Sequence, residues 1–146
     1  MSKTNSCEAG LLDLLFLNTD FANVGDASGL QNSATAGSFY ISLHTSDPGE
    51  AGDQTTNETA YTNYARVAVA RTSGGWTRTS NSMANTATIT FPTGGASGAT
   101  VTHFGIGTAS SGAGVLLYKG ALTSSLVVGS GVTPTFAAGA LTVTED

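Results

Sequence analysis

Two histidines, one cysteine and a run of acids are the side chains of this sequence with chemistry to offer. His44 and His103 each fall in a strand-like segment, and neither has the H-x-H or H-E-x-x-H spacing that brings imidazoles together on zinc. Cys7 is distant from both, and as the single cysteine it can form no intrachain disulfide. His44 reads as a strand-end histidine held by local hydrogen bonds, or as one that polarises the loop beginning at Asp47. There is no G-x-S-x-G motif, and no serine has an evident base nearby in sequence, so nucleophilic catalysis has no candidate. The segment Asp47–Glu58 holds Asp47, Glu50, Asp53 and Glu58. Calcium takes several oxygen ligands from such loops, but Asp47-x-x-Glu50-x-x-Asp53 lacks the strict spacing of a calcium hand. A solvated or subunit-facing acidic loop therefore stands beside the metal reading. Glu58 differs from the other acids: it closes the excursion, and Arg66 on the next strand can meet it as a bidentate, structural pair.

Two further groupings have a chemical reading and a plain one. Gly105-Ile-Gly107 through Gly112 resembles a phosphate loop in its glycines, yet a strand follows in place of a helix, and no Lys-Ser/Thr is present. Tyr61, Tyr64 and Trp76 form either a sugar-stacking platform or part of a sheet core or subunit contact. The residues thus assign no catalytic, cofactor-binding or metal-ligating role to any position, and no cofactor.

The elements that must position these groups follow from periodicity. Residues 5–17 predict a helix with Asn5 as cap and Glu8 three residues on, as in a capping box. Leu11, Leu14 and Leu15 share one face, while Leu12, Phe16 and Leu17 spread around the rest. Such a helix either packs over the sheet or is an assembly handle against a neighbouring subunit. The connecting segment 18–37 is irregular, with a covering or a binding role. Phe39, Ile41 and Leu43 then alternate with Tyr40, Ser42 and His44, the signature of a strand with two unlike faces. Asp47-Pro48-Gly49 stops that strand. Tyr64–Arg71 predicts its partner, and the pair is expected to be the centre of the sheet. Further strands are expected at Trp76–Thr79, Asn85–Phe91, Thr100–Ile106, Val115–Leu122, Leu126–Val128, Thr133–Phe136 and Leu141–Thr144. One helix and about eight or nine short strands in residues 1–146 predict a single all-β domain. The expected architecture is an antiparallel β-sandwich, jelly-roll-like or immunoglobulin-like, with one short N-terminal helix.

Composition narrows the partners. Charged residues make up 10% of the 146 positions, against roughly a quarter in ordinary soluble domains, which hints at a surface covered by neighbours. The net charge is −5, and Lys3, Arg66, Arg71, Arg78 and Lys119 are dispersed, which argues against a nucleic-acid surface. Leu11–Leu17 is too short to span a bilayer and no signal-like run precedes it, so a membrane partner is not expected and synthesis in a cytoplasm is.

One resemblance adds to this. Tyr40–Gly49 (Y-I-S-L-H-T-S-D-P-G), Asn57–Val69 (N-E-T-A-Y-T-N-Y-A-R-V-A-V) and Gly74-Gly75-Trp76 occur in that order. Together they resemble a family of small structural proteins of tailed bacteriophages, of the tail-fibre-like or minor virion kind. The resemblance implies a virion location, no catalytic residues, homo-oligomerisation and contact with other phage capsid, tail or fibre subunits. Decoration of the capsid, a part in tail or fibre attachment, and receptor or glycan binding by a fibre all remain open at this point.

Overall fold

A computed structural model describes residues 2–146. In chain order the elements are α1 (Asn5–Phe16), β1 (Ser38–His44), β2 (Val67–Ala70), β3 (Trp76–Thr79), β4 (Ser82–Asn85), β5 (Ile89–Thr90), β6 (Ala99–Gly107), β7 (Leu116–Val128), β8 (Thr135–Phe136) and β9 (Thr142–Thr144). They form a four-stranded sheet in the order β2-β1-β6-β7, a three-stranded sheet β3-β4-β9 and a two-stranded ladder β5-β8. The ladders β1–β6, β6–β7, β3–β4 and β4–β9 are antiparallel. The class is all-β with one short N-terminal helix, and a sandwich-like reading fits it. The chain divides into two compact units, one of Met1–Ser38, Ala70–Thr88 and Phe136–Asp146, the other of Phe39–Val69 and Ile89–Thr135.

The first unit contains α1 and the β3-β4-β9 sheet. Thr4, not Asn5, caps the helix, its hydroxyl accepting from the Cys7 amide at 3.4 Å. The start is one residue earlier than the capping-box reading, which leaves Glu8 outside the box position. The buried stripe is Glu8, Leu12 and Phe16, at i, i+4 and i+8, and not the Leu11–Leu14–Leu15 face. The helix packs on β3 and β4, the first of its two expected roles. Phe16 meets Trp76 edge to face at 4.7 Å, and Met83, Leu141 and Val143 complete a buried apolar group. Arg71 closes the helix C-terminus by donating to the Leu14 carbonyl at 2.7 Å and to the Leu15 carbonyl. A cation there satisfies carbonyls the helix cannot pair and complements its dipole. The guanidinium also reaches the Ala36 carbonyl at 3.0 Å, so one side chain ties both ends of the connecting segment. That segment is folded on itself by a Phe21–Leu30 bridge and by Asn18, whose amide group bonds Ser33 in both directions at 2.9 Å.

The expected strand Asn85–Phe91 is two elements. β4 ends at Asn85, and β5 is only Ile89–Thr90. The break is made by Asn85, 2% exposed, whose side chain donates to the carbonyls of Ala87 and Ala137 at 2.8 Å and accepts from the Leu141 amide at 2.9 Å. These bonds use the Asn85 amide to hold the returning C-terminal segment.

The second unit contains the four-stranded sheet, with Ile41, Leu43, Tyr61, Phe91, Val101, Ile106 and Val128 buried. The expected centre of this sheet needs correction: β1 is interior, but its neighbours are β2 and β6, and β2 is an edge of four residues. Residues 64–66 are not strand, because Tyr64 and Arg66 are drawn into side-chain bonds described below. β1 is not half-exposed either; Ser42 and His44 are as buried as Ile41 and Leu43. The two strands expected at Val115–Leu122 and Leu126–Val128 are one strand of 13 residues. Its register on β6 slips between Val101 and His103 and again between Ile106 and Gly107.

Candidate functional site

The polar side chains of the second unit converge on β1. Tyr40, Ser42 and His44 stand opposite Gly107, Gly105 and His103 on β6. A side chain at Gly105 would place its Cβ 2.6 Å from Ser42 Oγ and 2.8 Å from His44 Nε2, and one at Gly107 would strike Gln54 at 2.2 Å. The two glycines are therefore clearance for buried polar groups, which is the reason for the glycine spacing that superficially suggested a phosphate loop.

His44 is fully buried. Its Nδ1 lies 2.9 Å from the Thr56 carbonyl oxygen, which can only accept, so the proton sits on Nδ1 and Nε2 accepts from Ser42 Oγ at 2.8 Å. The serine overlooked in the sequence is thus two residues from its base, on the same strand face, where a period of two would place it. The chain Ser42–His44–carbonyl has the hydrogen-bond order of an activated serine. Its burial is the deciding difference: Ser42 and His44 both have 0% exposure, so a substrate cannot reach the hydroxyl. Burial also lowers the His44 pKa below its ordinary value, against the raising effect of the Thr56 bond and Glu58 and with lesser lowering by Arg66 and His103.

The acids part company. Asp47 and Glu50 each lie 3.0 Å from Lys119 Nζ, and Asp53 accepts from the Thr55 hydroxyl at 2.6 Å and the Thr55 amide at 2.8 Å. Among the described residues no group of three or more His, Cys, Asp or Glu side chains is placed to hold a metal ion. Glu58 takes the expected partner. Its Oε1 and Oε2 accept from Arg66 Nε and Nη2, both at 2.7 Å, a bidentate pair whose arginine side chain is 2% exposed. Tyr64 donates to the same carboxylate at 2.8 Å and accepts from the Leu43 amide at 3.1 Å. Burial raises the Tyr64 pKa far above the usual phenol value, and the Glu58 bond holds that of Arg66 up.

Arg66 also donates at 2.8 Å from Nη1 to the Ala109 carbonyl and from Nη2 to the Gly112 carbonyl. Gln54 grips the same turn from the other side, its side-chain oxygen accepting from the Ala109 amide at 2.9 Å while its backbone N–H donates to the Ala113 carbonyl at 3.0 Å. Nothing in the sequence pattern singles out Gln54. A cleft of about 270 Å³ lies over Glu58, Tyr64, Arg66 and Ser110–Gly112. Four of the five N–H groups of Arg66 are already engaged inside the protein. The arrangement is suited to fixing two loops on a strand, not to binding an anion. Of the two readings of these aromatics, burial fits the core one for Tyr61 and Trp76, which are 2% and 0% exposed.

A family model described as podophage GP4 fiber I protein gp80 matches residues 2–144. The chain belongs to this family. No curated protein matches it. The podophage fiber I family makes the chain a structural component of a phage virion, associated with other phage structural proteins, and bears out the resemblance to tailed-phage structural proteins. Within this fiber I chain, no helix among the described residues is long and apolar enough to cross a membrane.

Proposed function

We propose that this fiber I chain is a non-enzymatic structural subunit of a podophage tail fibre, assembling with copies of itself and with other tail proteins. The observation that carries the reading is the family match over residues 2–144. The chemistry supports it, because the serine–histidine pair is sealed and Arg66 and Glu58 are spent on holding loops. Mass spectrometry of separated heads and tails tests it. The protein is expected with the tails; recovery with heads alone would mean capsid decoration, and absence from purified particles would end the reading.

One observation favours receptor or glycan binding as a second reading. The turn Ser110–Ser111 is exposed while its base is gripped by Arg66 and Gln54, which presents polar groups from a rigid support. Replacing Ser110 and Ser111 together by glycine should then abolish adsorption to host cells or to an arrayed glycan. Unchanged adsorption rules this turn out.

A further inference from the structure

β7 is one edge of the four-stranded sheet, and among the described residues no strand pairs with it on the side away from β6. Its 13 residues run for roughly 43 Å at the usual rise per residue. Protein edges of that length are normally blunted by proline or by outward charge. β7 contains no proline, and its single charged residue, Lys119, is turned to Asp47 and Glu50 of its own chain. Leu117 and Val127 are 37% and 68% exposed, and Leu126 is 36% exposed.

We propose that β7 pairs with β7 of a second copy, antiparallel, about a two-fold axis at Leu122. The sequence of the strand carries the choice of partner. About Leu122, Leu116, Leu117 and Tyr118 on one arm are matched by Val128, Val127 and Leu126 on the other. Gly120 and Ala121 are matched by Ser124 and Thr123, and Lys119 by Ser125. An antiparallel two-fold therefore sets apolar against apolar at both ends, small against small near the axis, and lysine against serine. A parallel in-register pair would instead stack Lys119 on Lys119. The register on β6 slips opposite Ala121–Leu126, near the axis, and again opposite Leu116–Tyr118 at the end of one arm, so Tyr118–Ala121 and Leu126–Val128 are the regular stretches that flank the axis.

The proposal rests on the homo-oligomeric part of the function above, and the test separates the two. In the full chain with Cys7→Ser, Leu117→Cys and Val127→Cys are made as two single-cysteine proteins. Mixed under mild oxidation, they are expected to form a disulfide-linked pair, while neither alone should, since each cysteine lies roughly 33 Å from its own copy across the axis. A second variant, Leu117→Lys with Val127→Lys, changes exposed side chains and should keep the wild-type circular dichroism. It should weaken dimer formation at least tenfold in light scattering across a concentration series. An oligomer that survives the lysines and gives no mixed cross-link overturns the β7 pairing and leaves the homo-oligomeric reading standing. A wild-type chain that is monomeric at every concentration overturns both.

Discussion

Glu58 and Arg66 face each other through two hydrogen bonds of 2.7 Å, with the arginine side chain 2% exposed. The pair joins the end of the acidic excursion to the turn at Ala109–Gly112, because the same guanidinium holds that turn by two carbonyls. Removing the arginine leaves the largely covered Glu58 carboxylate, 16% exposed, without its cation and two of its hydrogen-bond donors. Arg66→Ala is therefore expected to cost about 3–5 kcal/mol in denaturant unfolding. Arg66→Lys should recover only part of this, since an ammonium cannot reproduce the planar fork. Amide exchange of residues 109–114 should accelerate in both variants before global unfolding does.

His44 makes stability depend on pH in a defined direction. Its folded pKa lies below the ordinary 6.5, so above that pH folded and unfolded chains are both neutral at this site. As pH falls below 6.5 the unfolded chain takes up a proton that the buried ring resists, and stability declines. Glu58, Arg66 and His103 face the ring and modulate the effect. The unfolding midpoint should drop between about pH 6.5 and 5, above the range where aspartates titrate. His44→Gln, whatever its absolute stability, should flatten that slope; an unchanged slope would assign it elsewhere.

Gly105→Ala should destabilise by striking Ser42 and His44 on β1 and Leu116 on β7. The added Cβ would lie 2.6 Å from Ser42 Oγ and 2.8 Å from His44 Nε2, with neither group free to swing into solvent. Overpacking of this kind is expected to cost about 1–3 kcal/mol in thermal or denaturant unfolding. The imidazole nitrogen shifts of His44 should move in NMR, reporting the broken Ser42 bond. Retention of both the shifts and the stability would show that the clearance is not needed.

Trp76 is the only tryptophan of the sequence and is fully buried against Phe16, with no hydrogen-bond partner for its Nε1 among the described residues. Its emission should be blue-shifted in the native protein and move red on unfolding, giving a single-site probe of the first unit. Trp76→Ala should cost about 3–5 kcal/mol through lost burial and the cavity left behind. A red-shifted native emission would contradict the packing of α1 on β3.

The alternation in Ser38–His44, the helix near the start and the turn at Asp47-Pro48-Gly49 were legible because each depends on residues close in the chain. Glu58 with Arg66 was legible for a similar reason: eight positions apart, they bracket a polar excursion that needs closing. The Ser42–His44 contact is written in the sequence too, as two polar residues at i and i+2 on a strand.

By itself the sequence determined the all-β class, the short N-terminal helix and, through its motif order, the tailed-phage family. It could not place β1 beside β6, split the expected strand at Asn85 or bury the polar face of β1. Those depend on residues dozens of positions apart: Gly105 and Gly107 clearing room for Ser42, His44 and Gln54, and Ala137 and Leu141 meeting Asn85. A side chain's partners across such distances are set by which strands pair, and only the folded chain makes that choice. The same residue types would have read as an exposed polar face had β6 carried side chains where it carries glycine.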